Sequence, residues 1–191
     1  MYRKERIENA LLFFAQNHYK KTKNYLPQTF LYKYLAFFEF RYLKEVGNMP
    51  LELTYKAMKH GPVPLEIYDN RAIPNYYSKV IFEPFQTKDG KTGYLIKPNG
   101  KFSPDYFAEA ELEEMKKLIE IFARRWVGTA EISEASHQAI KAWRETHSRS
   151  PNAVIDPIKE FDRDITAVPE EALHTEELRY LMRRKMAELA V

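Results

Sequence analysis

The 191-residue sequence contains no cysteine, which excludes disulfide bonds and thiol chemistry and removes the commonest zinc ligand. It also lacks any run of 18 apolar residues, because Lys33, Glu39 and Arg41 interrupt the longest hydrophobic segment, so no transmembrane helix is predicted. The N-terminal segment carries charges of both signs and has no small-residue cleavage site, which argues against a signal peptide. We therefore expect a cytoplasmic protein that does not enter a membrane.

Sequence patterns typical of enzymes are also missing. The six glycines form neither the G-x-G-x-x-G nor the G-x-x-x-x-G-K-S/T pattern of phosphate-binding loops. No G-x-S-x-G pattern marks a nucleophile, and the neighbours Ser136 and His137 would point in different directions on a helix. The sequence thus predicts no catalytic residues, no cofactor and no metal, and we expect that the protein is not an enzyme.

The five histidines leave one alternative open. None shows H-x-x-x-H or H-E-x-x-H spacing, and His18 and His174 are predicted on helix surfaces. A metal-dependent hydrolase would need distant residues to meet in space. The candidates are His60, His137 and His147, with Glu131 or Glu134 nearby. The structural interpretation is favoured, in which His60 bonds a bent backbone, while His137 packs beside Trp143 and donates to a carbonyl group.

Aromatic residues are abundant, with 13 tyrosines and 12 phenylalanines, which predicts a core of rings and some surface tyrosines suited to contacts. Charge is unevenly distributed, since residues 1–100 sum to +7 and residues 101–191 to −4. These halves are either ordinary solvated faces or a basic surface that meets an acidic partner or a phosphate backbone. Nucleic-acid binding is not favoured, because the cluster of Lys20, Lys21 and Lys23 is small and no helix-turn-helix is evident.

The segment 26–64 organises the chain. Residues 27–46 predict a helix that is apolar on most sides, typical of the centre of a bundle, with Gly47 as a left-handed cap. A short helix is predicted over 51–59, because Leu51, Tyr55 and Met58 share a helical face. The run Lys59 to Pro64 contains a glycine and two prolines, which predict a rigid bend without regular structure.

The remaining segments predict further helices and one β-hairpin. The helices are expected over residues 3–18, 64–72, 103–126, in one or two pieces from 129 to 143, and from 168 onward. The hairpin is expected near 79–97, around an Asp-Gly turn. Either its free edges pair with a partner strand, or the hairpin simply packs against the helices. The fold class is therefore a mainly α helical bundle around a central aromatic helix, with one inserted β-hairpin.

An ordered set of short patterns resembles the Panacea domain, the SocA-like antitoxin domain. The patterns are Gln28-x-x-Leu31-x-Tyr34, Gly47, Gly61-Pro62-Val63, Ser133-x-x-Ser136-His137 and Trp143, within a span from Ile7 to Ile158. The resemblance implies a Panacea-like domain over 1–165, with the hairpin near 79–97. The amphipathic helix over 166–191 lies outside the resemblance, and we expect it to pack on the same domain.

The resemblance also implies a function. Such domains are prokaryotic or phage antitoxins that neutralise toxins of toxin-antitoxin systems by direct protein contact, and SocA-like members present a toxin to a cytosolic protease. We therefore expect an antitoxin-like protein that binds a cognate toxin protein, with a proteolytic adaptor as the alternative. The residues predicted for partner binding, or for the architecture alone, are His60, Gly61, Pro62, Val63, Tyr68, Tyr76, Tyr77, Ser136, His137 and Trp143.

Overall fold

A computed structural model describes residues 2–189, within which seven α-helices and five short strands are present. The helices are α1 (Arg3–Thr22), α2 (Gln28–Val46), α3 (Leu65–Asn70), α4 (Glu109–Phe122), α5 (Thr129–Ala139), α6 (Lys141–Arg149) and α7 (Thr175–Leu189). The strands are β1 (Leu26–Pro27), β2 (Tyr55–Met58), β3 (Gly61–Pro64), β4 (Val80–Gln86) and β5 (Thr92–Pro98). The predicted class, mainly α with an inserted β-hairpin, is confirmed. None of the described helices combines the length and the apolar character needed to cross a membrane.

Helix α2 is the centre of the fold. Twelve of its nineteen residues are buried, and it contacts α1, α4, α5, α7 and β3. Aromatic rings join it to its neighbours, with Phe14 stacked on Tyr34 at 5.0 Å and Phe37 stacked on Phe122 at 5.0 Å. The helix ends at Gly47, where φ is 75° and the N–H donates to the carbonyl of Leu43, as the predicted left-handed cap requires.

The predicted hairpin is present as β4 and β5, and β1 adds a third strand that the sequence did not predict. Strand β4 forms the outer edge of this sheet. The backbone N–H of Thr87 donates to the carbonyl of Lys91, and that of Asn99 donates to the carbonyl of Lys79. In this pattern the odd-numbered residues of β4 direct their backbone N–H and C=O groups toward β5, whereas the backbone of Pro84 is directed toward the open edge. Proline has no N–H, so the exposed edge lacks a donor in its middle.

The segment 51–64 was predicted wrongly. It forms no helix, and it enters a two-stranded hairpin of β2 and β3 around the loop Lys59–His60. Residues 51–58 alternate between buried and more exposed positions throughout, which is the period of a strand, and the helical spacing of three of them is coincidental. The prolines are tolerated because β2 is the one strand that pairs with β3 within the described residues, so β3 lies at an edge.

Two helices begin later than predicted. Helix α4 begins at Glu109 after a 3-10 turn over Pro104–Tyr106, and α7 begins at Thr175 after a 3-10 turn over Glu170–Ala172. In each case a carboxylate just inside the helix accepts a backbone N–H at its start. Glu111 accepts from Ala108 at 2.9 Å, and Glu177 accepts from His174 at 2.8 Å. Met1 and residues 190–191, which belong to the predicted end segments, lie outside the described residues.

Helix α7 packs against the end of α2. The Arg163 guanidinium holds both carboxylate oxygens of Glu177, at 2.9 and 2.6 Å, and Arg179 donates to the carbonyl of Val46 at 2.6 Å. Gly47 directly faces the backbone of α7, where an added Cβ would collide with the carbonyl oxygen of Glu176. The helix cap of α2 is therefore also the docking point of α7.

Substituting Gly47→Ala tests this docking. Gly90→Ala is the matched control, because Gly90 has nearly the same φ of 76° with open space around its Cβ position. We expect the control to lower the free energy of unfolding by about 1 kcal/mol through left-handed strain alone. Gly47→Ala should lower it by roughly 2 kcal/mol more, because α7 must move. Urea unfolding measures both, and equal losses would show that α7 does not rest on Gly47.

Candidate functional site

The ten predicted site residues fall into two places. Seven of them surround the β2–β3 hairpin where it meets α5 and α6, a region we call the hairpin corner. They are His60, Gly61, Pro62, Val63, Ser136, His137 and Trp143. Of the other three, Tyr68 lies on α3, while Tyr76 and Tyr77 lie between α3 and β4. Tyr76 and Tyr77 line a concavity of about 650 Å³ that we call the tyrosine cleft. The sequence did not predict this division.

The hairpin corner depends on the absence of a side chain at Gly61. Its φ is 102°, and a Cβ at this position would lie 2.6 Å from the Ser136 hydroxyl and 2.7 Å from the Lys33 ammonium nitrogen. Ser136 is fully buried, and its hydroxyl donates to the carbonyl of Ser133 on the same helix at 2.7 Å. Gly61 therefore allows β3 to lie directly against both α2 and α5.

Lys33 is the residue of this corner that sequence reasoning missed. It is only 2% exposed, and its ammonium group donates to the carbonyl of Pro62 at 3.2 Å. Among the described residues no carboxylate forms an ion pair with it. Burial lowers the pKa of Lys33 to about 7. The signal that could have identified it is a lysine in the middle of a helix that is apolar on most sides, which predicts a buried ammonium group. Lys33 is treated above only as a break in the longest hydrophobic segment.

Trp143 ties α6 to the hairpin. Its indole N–H donates to the carbonyl of Met58 at 3.0 Å, and its ring stacks against His137 at 4.1 Å and against His147 at 4.9 Å. The prediction that His137 packs beside Trp143 is confirmed. Its Nε2, however, is buried and donates to no carbonyl group among residues 2–189. Burial is the main reason that the pKa of His137 is lowered. His60 is exposed in the hairpin loop and makes no hydrogen bond to the backbone of residues 2–189, so that prediction is wrong.

The histidines do not assemble a metal site within the described residues, where no group of three or more His, Asp or Glu side chains is placed to hold an ion. His18 was predicted on a helix surface, which is wrong. It is 4% exposed, its Nδ1 lies 3.1 Å from the Tyr34 hydroxyl, and burial lowers its pKa to about 4. The reason is that α1 is buried along a broad face against α2 and α4. His174 is exposed as predicted.

Glu39 is a second buried charge on α2, near the start of the hairpin. Its carboxylate accepts the backbone N–H of Leu51 at 2.7 Å and that of Leu53 at 3.3 Å. Burial raises the pKa of Glu39 to about 8, although these hydrogen bonds act in the opposite direction. Glu39 thus fixes the segment that leads into β2, while Lys33 fixes β3.

The sequence left two roles open for Tyr68, Tyr76 and Tyr77, partner binding and architecture, and the structure shows which of these tyrosines are buried. Tyr77 is buried, its hydroxyl donates to the carbonyl of Glu66 at 3.1 Å, and its ring packs on Phe82, so it seals the hairpin onto the bundle. Tyr76 and Tyr68 are only partly buried. Tyr76 packs edge-on against Tyr77 at 4.8 Å, which leaves part of its ring open to a partner.

Arg71 lines the same cleft and lies between the rings of Tyr68 and Tyr94. Its guanidinium carbon is 3.6 Å from the ring centre of Tyr68 and 5.3 Å from that of Tyr94. Stacking of this kind holds the guanidinium in one orientation. Sequence reasoning did not single out Arg71, since nothing in the local pattern shows that Tyr94 of β5 approaches it.

One family model matches the chain. It is described as Antitoxin SocA-like, Panacea domain, and it covers residues 31–144. This range is more than half of the chain, and it includes the hairpin corner, the tyrosine cleft and all ten predicted site residues. No curated protein and no solved structure matches significantly. Helix α7 lies beyond the matched range.

Substituting Lys33→Met tests the buried ammonium group. The pKa of Lys33 is about 7 in the folded protein, against an ordinary value of 10.5. Between these values the unfolded chain binds more protons, so Lys33 makes stability rise with pH, by at most about 1.4 kcal/mol per pH unit. The free energy of unfolding of the wild type, relative to the variant, should therefore increase from pH 7 to 10.

Urea unfolding at pH 6.5, 8 and 9.5 measures this difference. Lys20→Met is the matched control, because Lys20 is exposed at the end of α1 and should leave the pH dependence unchanged. Parallel curves for the wild type and Lys33→Met would contradict a lowered pKa at Lys33.

Proposed function

The chain belongs to the SocA-like Panacea-domain family of antitoxins, and from this we propose that it binds a cognate toxin protein in the cytoplasm and blocks it by direct contact. The proposed action is binding without catalysis. Family membership is the observation that carries the proposal, and the geometry of the two candidate regions supports it.

The hairpin corner supports an action without catalysis, because two of its buried polar groups already serve the structure. The Ser136 hydroxyl is bonded within its own helix, and the Lys33 ammonium group is bonded to Pro62. Both side chains are buried, so a substrate would have to displace the hairpin to reach either one. The corner is therefore assigned to architecture, and it fixes the direction in which β3 continues into α3.

The tyrosine cleft is the surface we assign to the partner. Tyrosine gives a large contact area at a low cost in side-chain entropy, and a surface that is already ordered before binding loses less entropy on association. The cleft is ordered by the contacts of Tyr77 with Glu66 and Phe82, and by the stacking of Arg71 on Tyr68. Only α3 separates β3 from Arg71, the first residue of the cleft, so the chain connects the cleft closely to the hairpin corner.

Co-expression with the protein encoded by the neighbouring gene tests the proposed function. If that protein is the toxin, its expression alone should arrest growth, and the antitoxin should relieve the arrest and co-purify with it. Tyr76→Ala should weaken the relief, because it removes a ring at the open side of the cleft. Tyr19→Ala, which removes an exposed ring near Tyr25, is the control and should act as the wild type. Arrest that persists in the presence of the wild-type protein would contradict the proposal.

A second candidate function is a proteolytic adaptor, and the outer half of α7 favours it. Met182, Met186 and Leu189 are 58%, 69% and 80% exposed, and their spacing places them on one face of the helix. Together with the loop before α7 they border an open groove of about 480 Å³. An exposed apolar helix face outside the matched family range is suited to a separate interaction, such as one with a protease.

The fate of the bound partner distinguishes the adaptor from the inhibitor. After protein synthesis is stopped, an adaptor should shorten the lifetime of the toxin severalfold, and the double substitution Met182→Ser, Met186→Ser should restore it. Ala187→Ser on the same helix is the control. A toxin that stays abundant in a stable complex would exclude the adaptor and leave inhibition by contact.

A further inference from the structure

Arg71 differs from the other arginines of the described segment. It is half-buried, yet no carboxylate lies within ion-pair distance of it among residues 2–189. Its Nε is buried and has no hydrogen-bond partner in the described part of the chain. Buried polar atoms nearly always form hydrogen bonds, so a guanidinium nitrogen without one, on a residue that lines a concavity, indicates a site for a ligand.

A second orphaned polar group lies beside it. The Tyr32 hydroxyl on α2 is buried, and no described residue forms a hydrogen bond with it. Arg71 is the largest charged influence on it, since its positive charge opposes the rise in the pKa of Tyr32 that burial causes. The ring of Tyr32 also packs against that of Tyr68, and the Arg71 guanidinium stacks on the Tyr68 ring. Two unsatisfied hydrogen-bonding groups therefore occur at one place in the molecule.

The surroundings of Arg71 define the kind of ligand. A guanidinium is a planar fork that binds a carboxylate through two parallel hydrogen bonds, and its stacking on Tyr68 already fixes its plane. The neighbouring tyrosine rings offer contact to the apolar stem of a side chain. A second cation, Lys4, lies 4.8 Å from the ring centre of Tyr76 and is not engaged in an ion pair among the described residues.

We propose that the tyrosine cleft receives an aspartate or glutamate side chain of the partner protein, which Arg71 holds by a bidentate ion pair. This inference rests on the proposed function, because it names the chemistry by which the toxin is recognised. The excess of positive charge in residues 1–100, which include the whole cleft, favours an acidic partner surface. A volume of about 650 Å³ accommodates one such side chain together with its neighbours.

The first test uses a peptide and needs no toxin. The capped peptide acetyl-Trp-Glu-Leu-amide is titrated into the isotope-labelled protein, with acetyl-Trp-Gln-Leu-amide as the neutral match. We expect the glutamate peptide to shift the Arg71 Nε–H signal and the ring signals of Tyr68 and Tyr94 in a saturable manner. The glutamine peptide should cause at most a tenth of this response. Equal responses, or none from either peptide, would overturn the proposal.

Inorganic phosphate is the competing probe in the same titration. A carboxylate site should respond to phosphate no more strongly than to the glutamate peptide. Saturation at a lower phosphate concentration would overturn the assignment and indicate a phosphorylated or nucleic-acid ligand instead.

The second test measures binding of the neighbouring gene product by calorimetry. Arg71→Met should raise the Kd by about 10-fold or more, because it leaves the partner carboxylate unpaired, and Arg71→Lys should lose part of this affinity. Arg149→Met is the matched control, since Arg149 is exposed on α6 and forms no ion pair among the described residues, and its Kd should change less than 2-fold. Urea unfolding of each variant identifies any loss of affinity caused by instability.

Charge reversal gives a stricter criterion. Arg71→Glu should abolish relief of growth arrest, and exchanging one acidic residue of the partner for arginine should restore it. An Arg71→Met variant that binds as the wild type does would overturn the inference while leaving the proposed function intact. Absence of any wild-type binding, together with a saturable glutamate-peptide response, would instead refute the proposed function and retain the site.

Discussion

The close approach of β3 to α2 and α5 at Gly61 is the contact on which the rest of the candidate region depends. A side chain at this position would overlap both Lys33 and Ser136, so the two helices and the strand meet only because none is present. The strand in turn positions β2, whose Met58 carbonyl accepts the indole N–H of Trp143. The end of β3 leads directly into α3, and the cleft residues from Arg71 to Ser78 follow α3 in the chain.

Helix α2 fixes this non-helical segment with two charged residues. Glu39 holds the backbone before β2 through Leu51 and Leu53, and Lys33 holds β3 through Pro62. Burying either charge opposes folding, because burial lowers the pKa of Lys33 and raises that of Glu39, and both shifts favour the neutral form. A core made only of rings would lack these hydrogen bonds, and the short hairpin would be held by little besides its own ladder. The central helix therefore supplies both the apolar core and the position of the strands.

Much of the fold was predictable from sequence where a single periodicity dominates. The central helix, its Gly47 cap and the hairpin around Asp89-Gly90 were predicted, because each has a local signal that tertiary contacts do not change. The segment 51–58 was not, since its burial follows a period of two while some of its apolar residues also fit a helix. Long-range contacts decided the remainder. The burial of His18 depends on packing between helices, and the setting of Arg71 depends on Tyr94, 23 positions along the chain.

Pro84 has a consequence for how any partner is recognised. A partner strand placed beside the open edge of β4 would find carbonyl oxygens there, but no backbone N–H at Pro84 in the middle of the strand. Continuous main-chain pairing is therefore interrupted. Main-chain pairing depends little on which residues the incoming strand contains. Because Pro84 interrupts such pairing, partners must be distinguished mainly by their side chains. Selectivity can then change through single substitutions on the outer surface while the buried scaffold stays constant.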